Sequence, residues 1–222
     1  VLSCSEVRKT YQTGTGAVEA VRGVDLRIPA GQFAAIIGRS GSGKSSLMAM
    51  IGGLSRPDSG QISVHGTEIW SLNDDALARF RNRQVGYVFQ FASLLPTLRV
   101  LDNVALPAVL GRTARKSEIY DRAAELLSSV GLAGHLDAYP SEMSAGEVRR
   151  TVIARALIND PALLLADEPT SDLDEQTERE IMAELLRINR TSGTTLVLVT
   201  HNLALAAQAE QVLQIADGVL AP

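Results

Sequence analysis

Three short stretches of the chain are apolar at nearly every position: Phe33–Ile37, Leu163–Ala166 and Thr195–Val199. Apolar runs of this length without alternation suit strands buried on both faces, as in a parallel sheet covered by helices. Each run stops abruptly in polar chemistry. The first leads into Gly38-Arg-Ser-Gly-Ser-Gly-Lys-Ser45, the second into Asp167-Glu168 and the third into Thr200-His201. Ligands of open α/β sheets bind beyond the carboxyl ends of the strands. Strands that deliver polar groups at one common end therefore predict a site there.

Other segments carry different periods. Val18–Ile28 alternates, with Val24, Leu26 and Ile28 on one face, and Gln61–Val64 follows a Pro57-Asp58-Ser59-Gly60 turn. Both predict antiparallel strands flanking the parallel core. From Leu98 to Asn159 the pattern becomes helical, most clearly over Tyr120–Val130, where Ala123, Ala124, Leu127 and Val130 recur at helical spacing. Pro96, Pro107 and Pro140 punctuate this region. No linker or repeat divides the chain. The pattern predicts one domain over 1–222, with an α/β core at 1–90 and 160–222 and a helical subdomain at 91–159.

Composition narrows the classes. An apolar fraction of 45% and a charged fraction of 21% describe a globular protein, not a disordered one. Lys plus Arg is 21 and Asp plus Glu 25, a net charge of −4, which gives no global pull toward nucleic acid or anionic lipid. A single cysteine, Cys4, excludes an internal disulfide and cannot alone make a cysteine-based zinc site. No apolar run approaches the ~18 residues of a membrane span, and the start lacks a signal-peptide pattern. The chain is thus expected not to cross a membrane by itself.

Gly38–Ser45 fits G-x-x-x-x-G-K-[ST] without a mismatch, after a strand and before the helical run Ser46–Ile51. In such a loop Gly38, Ser40, Gly41, Ser42 and Gly43 curl backbone N–H groups around phosphate oxygens, and the helix N-terminus with Ser46 adds its dipole. Lys44 supplies a point charge for the β- and γ-phosphates, and Ser45 a ligand for a bridging magnesium ion. Asp167, at the tip of an apolar strand, fits a carboxylate that holds this magnesium. Glu168 is placed to act as general base toward an attacking water. His201 ends the third strand where a γ-phosphate belongs and can donate a hydrogen bond to it. His65 and His135 lie in segments without other polar chemistry and are expected to be ordinary surface or loop residues.

Ser144-Ala145-Gly146-Glu147 has the form of a capping box that opens a helix running to Ile158. It is either a well-capped helix alone or a second anion site at a helix start. Two phosphate-binding helix starts in one chain suggest two copies sandwiching nucleotide.

The order Tyr11, Gly38–Ser45, Gln90, Ser144–Glu147, Leu163–Glu168, Ser171–Asp174, His201 resembles the ATP-binding-cassette (ABC) ATPases along nearly the whole chain. Phe89-Gln90 after Val85–Val88, and Asp102–Pro107, are similar to the subfamily that powers lipoprotein release, macrolide-type export and the cell-division complex. The resemblance implies an α/β fold with a P-loop NTPase (RecA-like) core, an antiparallel β subdomain and an inserted helical subdomain. It implies that Tyr11 stacks on adenine and that Gln90 contacts magnesium and the attacking water while sensing a membrane partner. Ser144, Gly146 and Glu147 would act on the γ-phosphate bound to the opposite subunit, and Ser171 and Asp174 would link the two sites. The cofactors implied are ATP and Mg2+, the partners a second copy and an integral membrane permease, without nucleic acid. The place implied is the cytoplasmic face of the inner or plasma membrane, as a peripheral subunit.

Two positions depart from the family pattern. Met143-Ser-Ala-Gly-Glu147 stands where Leu-Ser-Gly-Gly-Gln is usual, and Asp172 replaces the alanine of Ser-Ala-Leu-Asp. Asp172 is expected to put an extra charge near the dimer contact. The leading function is an ATP hydrolase that drives a separate permease for export or lipoprotein release. The alternative is a non-transport signalling module of a cell-division or cell-wall complex. Chromosome-maintenance relatives would need a long heptad insertion that Ser93–Glu142 cannot hold. A GTP switch would need an Asn-Lys-x-Asp base reader, which the chain lacks. A nucleotide kinase would leave Ser144–Glu147 and His201 without a role. Leu94, Leu95 and Leu98 form either an apolar groove for a partner helix or internal packing of the helical subdomain.

Overall fold

The structure is a computed structural model and describes residues 2–14 and 16–221. In chain order its elements are β1 (Leu2–Thr13), β2 (Gly16–Ile28), β3 (Phe33–Ile37), α1 (Lys44–Ile51), β4 (Ser59–Val64), β5 (Thr67–Glu68), α2 (Asp74–Gln84), β6 (Val85–Val88), α3 (Val100–Gly111), α4 (Lys116–Ser129), α5 (Ala145–Leu157), β7 (Leu163–Asp167), α6 (Glu175–Ser192), β8 (Thr195–Val199), α7 (Leu203–Ala206), β9 (Gln211–Ala216) and β10 (Val219–Leu220).

The apolar runs become the middle of a six-stranded sheet, ordered β10-β9-β3-β8-β7-β6. All neighbours from β9 to β6 are parallel, and β10 alone runs antiparallel, against β9. Both faces of the central strands are buried by different cores. On β8, Leu196 and Leu198 pack with the helices α3 to α6, whereas Val197 and Val199 pack with α1 and the amino-terminal strands. On β7, Leu164 and Ala166 face the first core, Leu163 and Leu165 the second. Two-sided burial removes alternation from the sequence, which is why these strands read as continuous apolar runs.

The amino-terminal strands flank this core, as expected, without joining its sheet. They form their own four-stranded antiparallel sheet, β2-β1-β4-β5. Strand β1 has no counterpart among the sequence expectations. Its register against β2 shifts between Cys4 and Val7, between Val7 and Arg8 and between Lys9 and Thr10. Each irregularity inserts unpaired backbone and destroys the period of two by which strands are recognised. Cys4 is buried here, and burial together with Asp25 pushes its thiol up to about 12, so it is no nucleophile.

Pro107 lies inside α3 and does not interrupt it. Proline removes the bond to the carbonyl of Asn103. The helix is tied from outside: the Asn82 side chain donates to the Pro107 carbonyl at 2.8 Å, and buried Asn103 donates to the carbonyls of Leu95, Leu98 and Arg99 at 3.0–3.1 Å.

Candidate active site

Strand register aligns the polar groups. Ile36 pairs with Val199 and Val199 with Asp167, while Val88 pairs with Ala166. The carboxyl ends of β3, β8, β7 and β6 therefore lie side by side, and Gly38–Ser45, His201, Asp167-Glu168 and Gln90 leave the sheet at one edge.

The loop after β3 closes tightly under the antiparallel sheet. Gly43 has φ +103°, and a Cβ there would stand 2.1 Å from the Ala20 carbonyl oxygen of β2. At Gly38 (φ +157°) a Cβ would meet the Ile215 carbonyl oxygen at 2.2 Å. Only glycine permits both approaches. Buried Lys44 opens α1 and folds back into the loop, its Nζ donating to the Gly38 and Arg39 carbonyls at 2.9 Å each. Ser40, Gly41 and Ser45 are exposed, Ser46 half-buried. The Ser42 hydroxyl is buried without a hydrogen-bond partner among the described residues. Gly38, Ser40, Gly41, Ser42 and His201 line one side of a cleft of about 690 Å³, with β9 residues opposite. Tyr11, on β1, is partly exposed, and Lys9 Nζ lies 5.5 Å from its ring centroid.

Asp167 is the last residue of β7 and is buried. Burial holds its carboxyl above the usual range, and the Glu168 charge adds to this, against a hydrogen bond from Ser45 and the charge of Lys44. A native pKa raised above the unfolded one makes the ionised carboxylate a cost that grows as pH rises through the native value. Asp167→Asn is therefore expected to raise the nucleotide-free unfolding midpoint at pH 7, and to gain less at acid pH. For a chain of this size about 1 kcal/mol corresponds to roughly 2–4 °C. A midpoint at or below wild type at pH 7 would contradict this cost.

Glu168 sits at φ +45°, a conformation rare outside glycine. Its N–H donates to the Val199 carbonyl at 2.9 Å, so it is still tied to β8 while its side chain leaves the strand plane. This turn sets the two adjacent carboxylates at one strand end. His201 Nδ1 lies 3.6 Å from Glu168 Oε2. The residue after His201, Asn202, was not singled out from sequence. It caps α7 and donates to Glu178 at 3.0 Å, and Glu178 in turn accepts from Thr170 at 3.0 Å, fixing the segments on both sides of the site.

The second helix start forms as the sequence implies. Ser144 caps α5, its N–H and hydroxyl donate to Glu147 at 2.8 Å, and these bonds hold the Glu147 carboxyl below the usual range. His135 is not isolated: its Nε2 lies 3.4 Å from Glu147 Oε1. His65 is exposed in a turn at φ +49°. Gly146 packs against α6, where a Cβ would stand 2.8 Å from the Thr177 methyl, whereas Ala145 faces outward. Asp174 caps α6 by accepting from Gln176 and Thr177, and Ser171 is exposed. Asp172 is no free charge, because Arg149 donates to its carboxylate at 2.8 Å. Ser144, Gly146 and Asp174 line a cleft of about 330 Å³ that shares no residue with the phosphate-loop cleft.

Gln90 is exposed beyond β6, next to exposed Phe89, whose ring stacks on Tyr87 at 4.0 Å. Beside them runs a cleft of about 440 Å³ lined by Leu54, Phe89, Leu106, Pro107 and Leu110 among others. Leu94, Leu95 and Leu98 do not line it, and Leu94 packs against the helical core. No helix among the described residues is long and apolar enough to cross a membrane.

Known proteins similar to this chain identify its family. Residues 21–171 match the family model described as ABC transporter. The chain is 43% identical over 220 residues to the lipoprotein-releasing system ATP-binding protein LolD of Alcanivorax borkumensis, covering 99% of this chain and 96% of that one. It is 44% identical over 216 residues to the macrolide export ATP-binding/permease protein MacB of Rhodopirellula baltica, covering 97% of this chain but only 32% of that longer one. The dimeric post-hydrolysis structure of the ATP-binding cassette MJ0796 bound to ADP and Pi superposes with a TM-score of 0.92 at 36% identity, covering 100% of this chain and 97% of that one. The chain belongs to the ABC transporter family, as an ATP-binding, ATP-hydrolysing domain of the P-loop α/β fold.

Proposed function

We propose that two copies of this chain close on two ATP molecules, hydrolyse them with Glu168 as general base, and drive a separate membrane permease in lipoprotein release or export. The observation that carries this is the separation of the two helix-start clefts within one protomer. The helix start at Ser144 has no phosphate loop in its own cleft, and a second copy supplies one.

In this scheme Lys44 and the loop amides bind the β- and γ-phosphates, and Ser42 gains a partner for its buried hydroxyl. Tyr11 covers the adenine. Ser45 and Asp167 offer the hard oxygen donors that suit Mg2+, with Gln90 as a further oxygen ligand. Magnesium, once bound, neutralises developing phosphate charge. Glu168 takes the proton from the attacking water, and His201 donates to the γ-phosphate from beside it. Ser144, Gly146 and Glu147 of one copy close over the γ-phosphate of the other, with Ser171 and Asp174 at the contact. Differential affinity of ATP for the closed dimer shifts the equilibrium, and hydrolysis reverses it.

The apolar cleft beside Gln90 is the seat for a permease helix, since binding there bears directly on the Gln90 segment. Leu110 is 72% exposed on its rim. Leu110→Ser is expected to leave basal ATP turnover unchanged and to abolish permease-stimulated turnover, measured with the permease in proteoliposomes; retained stimulation contradicts the assignment. A pull-down of the tagged chain from native membranes, with mass spectrometry of co-purifying proteins, tests the partner. A permease with few spans and a large extracytoplasmic domain is expected. A many-span importer would contradict release or export.

A further inference from the structure

Arg149 carries a full charge on the core-facing side of α5 and is 2% exposed. A buried guanidinium is tolerated only when its donors are met. Here Nη1 donates to the Phe89 carbonyl at 2.7 Å, and Nη2 donates to the Gln90 carbonyl at 2.9 Å and to Asp172 Oδ1 at 2.8 Å. One planar group thus joins three segments that contribute to the site: the helix that presents Ser144 and Gly146, the segment that carries Gln90, and the turn that follows Glu168. Within that turn Ser171 N–H donates back to the Glu168 carbonyl at 3.4 Å, so Asp172 and Glu168 share one compact piece of backbone. The Asp172 side chain is itself 61% exposed. Its bond to Arg149 is therefore the tie that a substitution at the surface can cut.

We propose that Arg149 is a positioning residue that, through Asp172, fixes the Gln90 backbone relative to the turn bearing Glu168 and to helix α5, so that these move as one unit during turnover. The guanidinium fork is what makes this possible, since an ammonium offers no planar pair of donors for two carbonyls and a carboxylate at once. The proposal rests on the ATPase reading above for its effect on turnover, but the mechanical link exists without nucleotide.

Two measurements on Asp172→Ala test it. Amide hydrogen exchange of the segment 88–93, read by mass spectrometry in the nucleotide-free protein, is expected to speed up about three- to tenfold although the substitution lies in a different loop. The turnover number is expected to fall about three- to tenfold with KM for ATP within about twofold, and Asp172→Glu to restore both readouts in large part. Arg149→Lys is expected to match Asp172→Ala, with the double variant no worse than either alone. Unchanged exchange over 88–93 in Asp172→Ala overturns the link. Faster exchange with unaltered turnover overturns its role in the cycle, as does a double variant whose effects simply multiply. Because the exchange experiment needs no ATP, a failure of the ATPase reading would leave it fully interpretable.

Discussion

Replacing Glu168 by Gln is expected to reduce ATP turnover by about 10²- to 10⁴-fold, the range that loss of a general base produces, while ATP affinity stays within about threefold. The substitution keeps the size and the acceptor oxygen of the side chain and removes only its capacity to take a proton. The backbone gives reason to expect an intact site: Glu168 is held at φ +45° by its N–H bond to Val199, and that bond does not involve the side chain. The carboxylate is partly exposed and 3.6 Å from His201 Nδ1, so it stands open to water and beside the proposed hydrogen-bond donor for phosphate. Single-turnover and steady-state hydrolysis assays, with nucleotide affinity read from a fluorescent ATP analogue, separate the two effects. A turnover number equal to wild type would remove Glu168 as the base.

Lys44→Ala is expected to weaken ATP binding by about 10- to 100-fold, corresponding to roughly 1.5–3 kcal/mol for hydrogen bonds to a charged group. The ammonium is buried and oriented by the Gly38 and Arg39 carbonyls at 2.9 Å, so it is a preorganised charge that requires no rearrangement of the loop to reach phosphate. AMP, which lacks the β- and γ-phosphates, is expected to bind equally to both proteins, and this control distinguishes loss of a phosphate contact from collapse of the loop. Titration calorimetry with ATP and AMP reads both. Undiminished ATP affinity would contradict the role of Lys44.

Much of the candidate site is legible in the sequence because its parts are local. Gly38–Ser45 announces itself by spacing, and two of its glycines prove to be fixed by close approaches to Ala20 and Ile215. Ser144–Glu147 announces itself because a capping box is closed within one helical turn. The strands Phe33–Ile37 and Thr195–Val199 stand out because both faces are buried. What the chain concealed depends on distance or on irregularity. Strand β1 was hidden by its register shifts. The helix continues through Pro107, whose carbonyl accepts from Asn82, far back in the sequence. The apolar cleft is assembled from separate segments around Leu54, Phe89 and Leu106, which no local run of leucines announces. Of the leucines at 94–98, Leu94 packs against the helical core, one of the two readings its sequence allowed. The partner of Asp172 was equally invisible, yet a signal existed: Arg149 falls at helical spacing from buried Val152 and Ile153, where a charge requires an acceptor. His135 and Glu147 meet only through the fold.

The central claim is that one protomer holds half of two sites and that ATP joins them. Sedimentation velocity of the Glu168→Gln protein reads this directly, since blocked hydrolysis holds the ATP-bound state. With ATP and Mg2+ the protein is expected to sediment as a dimer, and with ADP or without nucleotide as a monomer. A Ser144→Arg change in the same background is expected to abolish the dimer without loss of ATP binding. A Glu168→Gln protein saturated with ATP that remains monomeric at every accessible concentration would contradict the account.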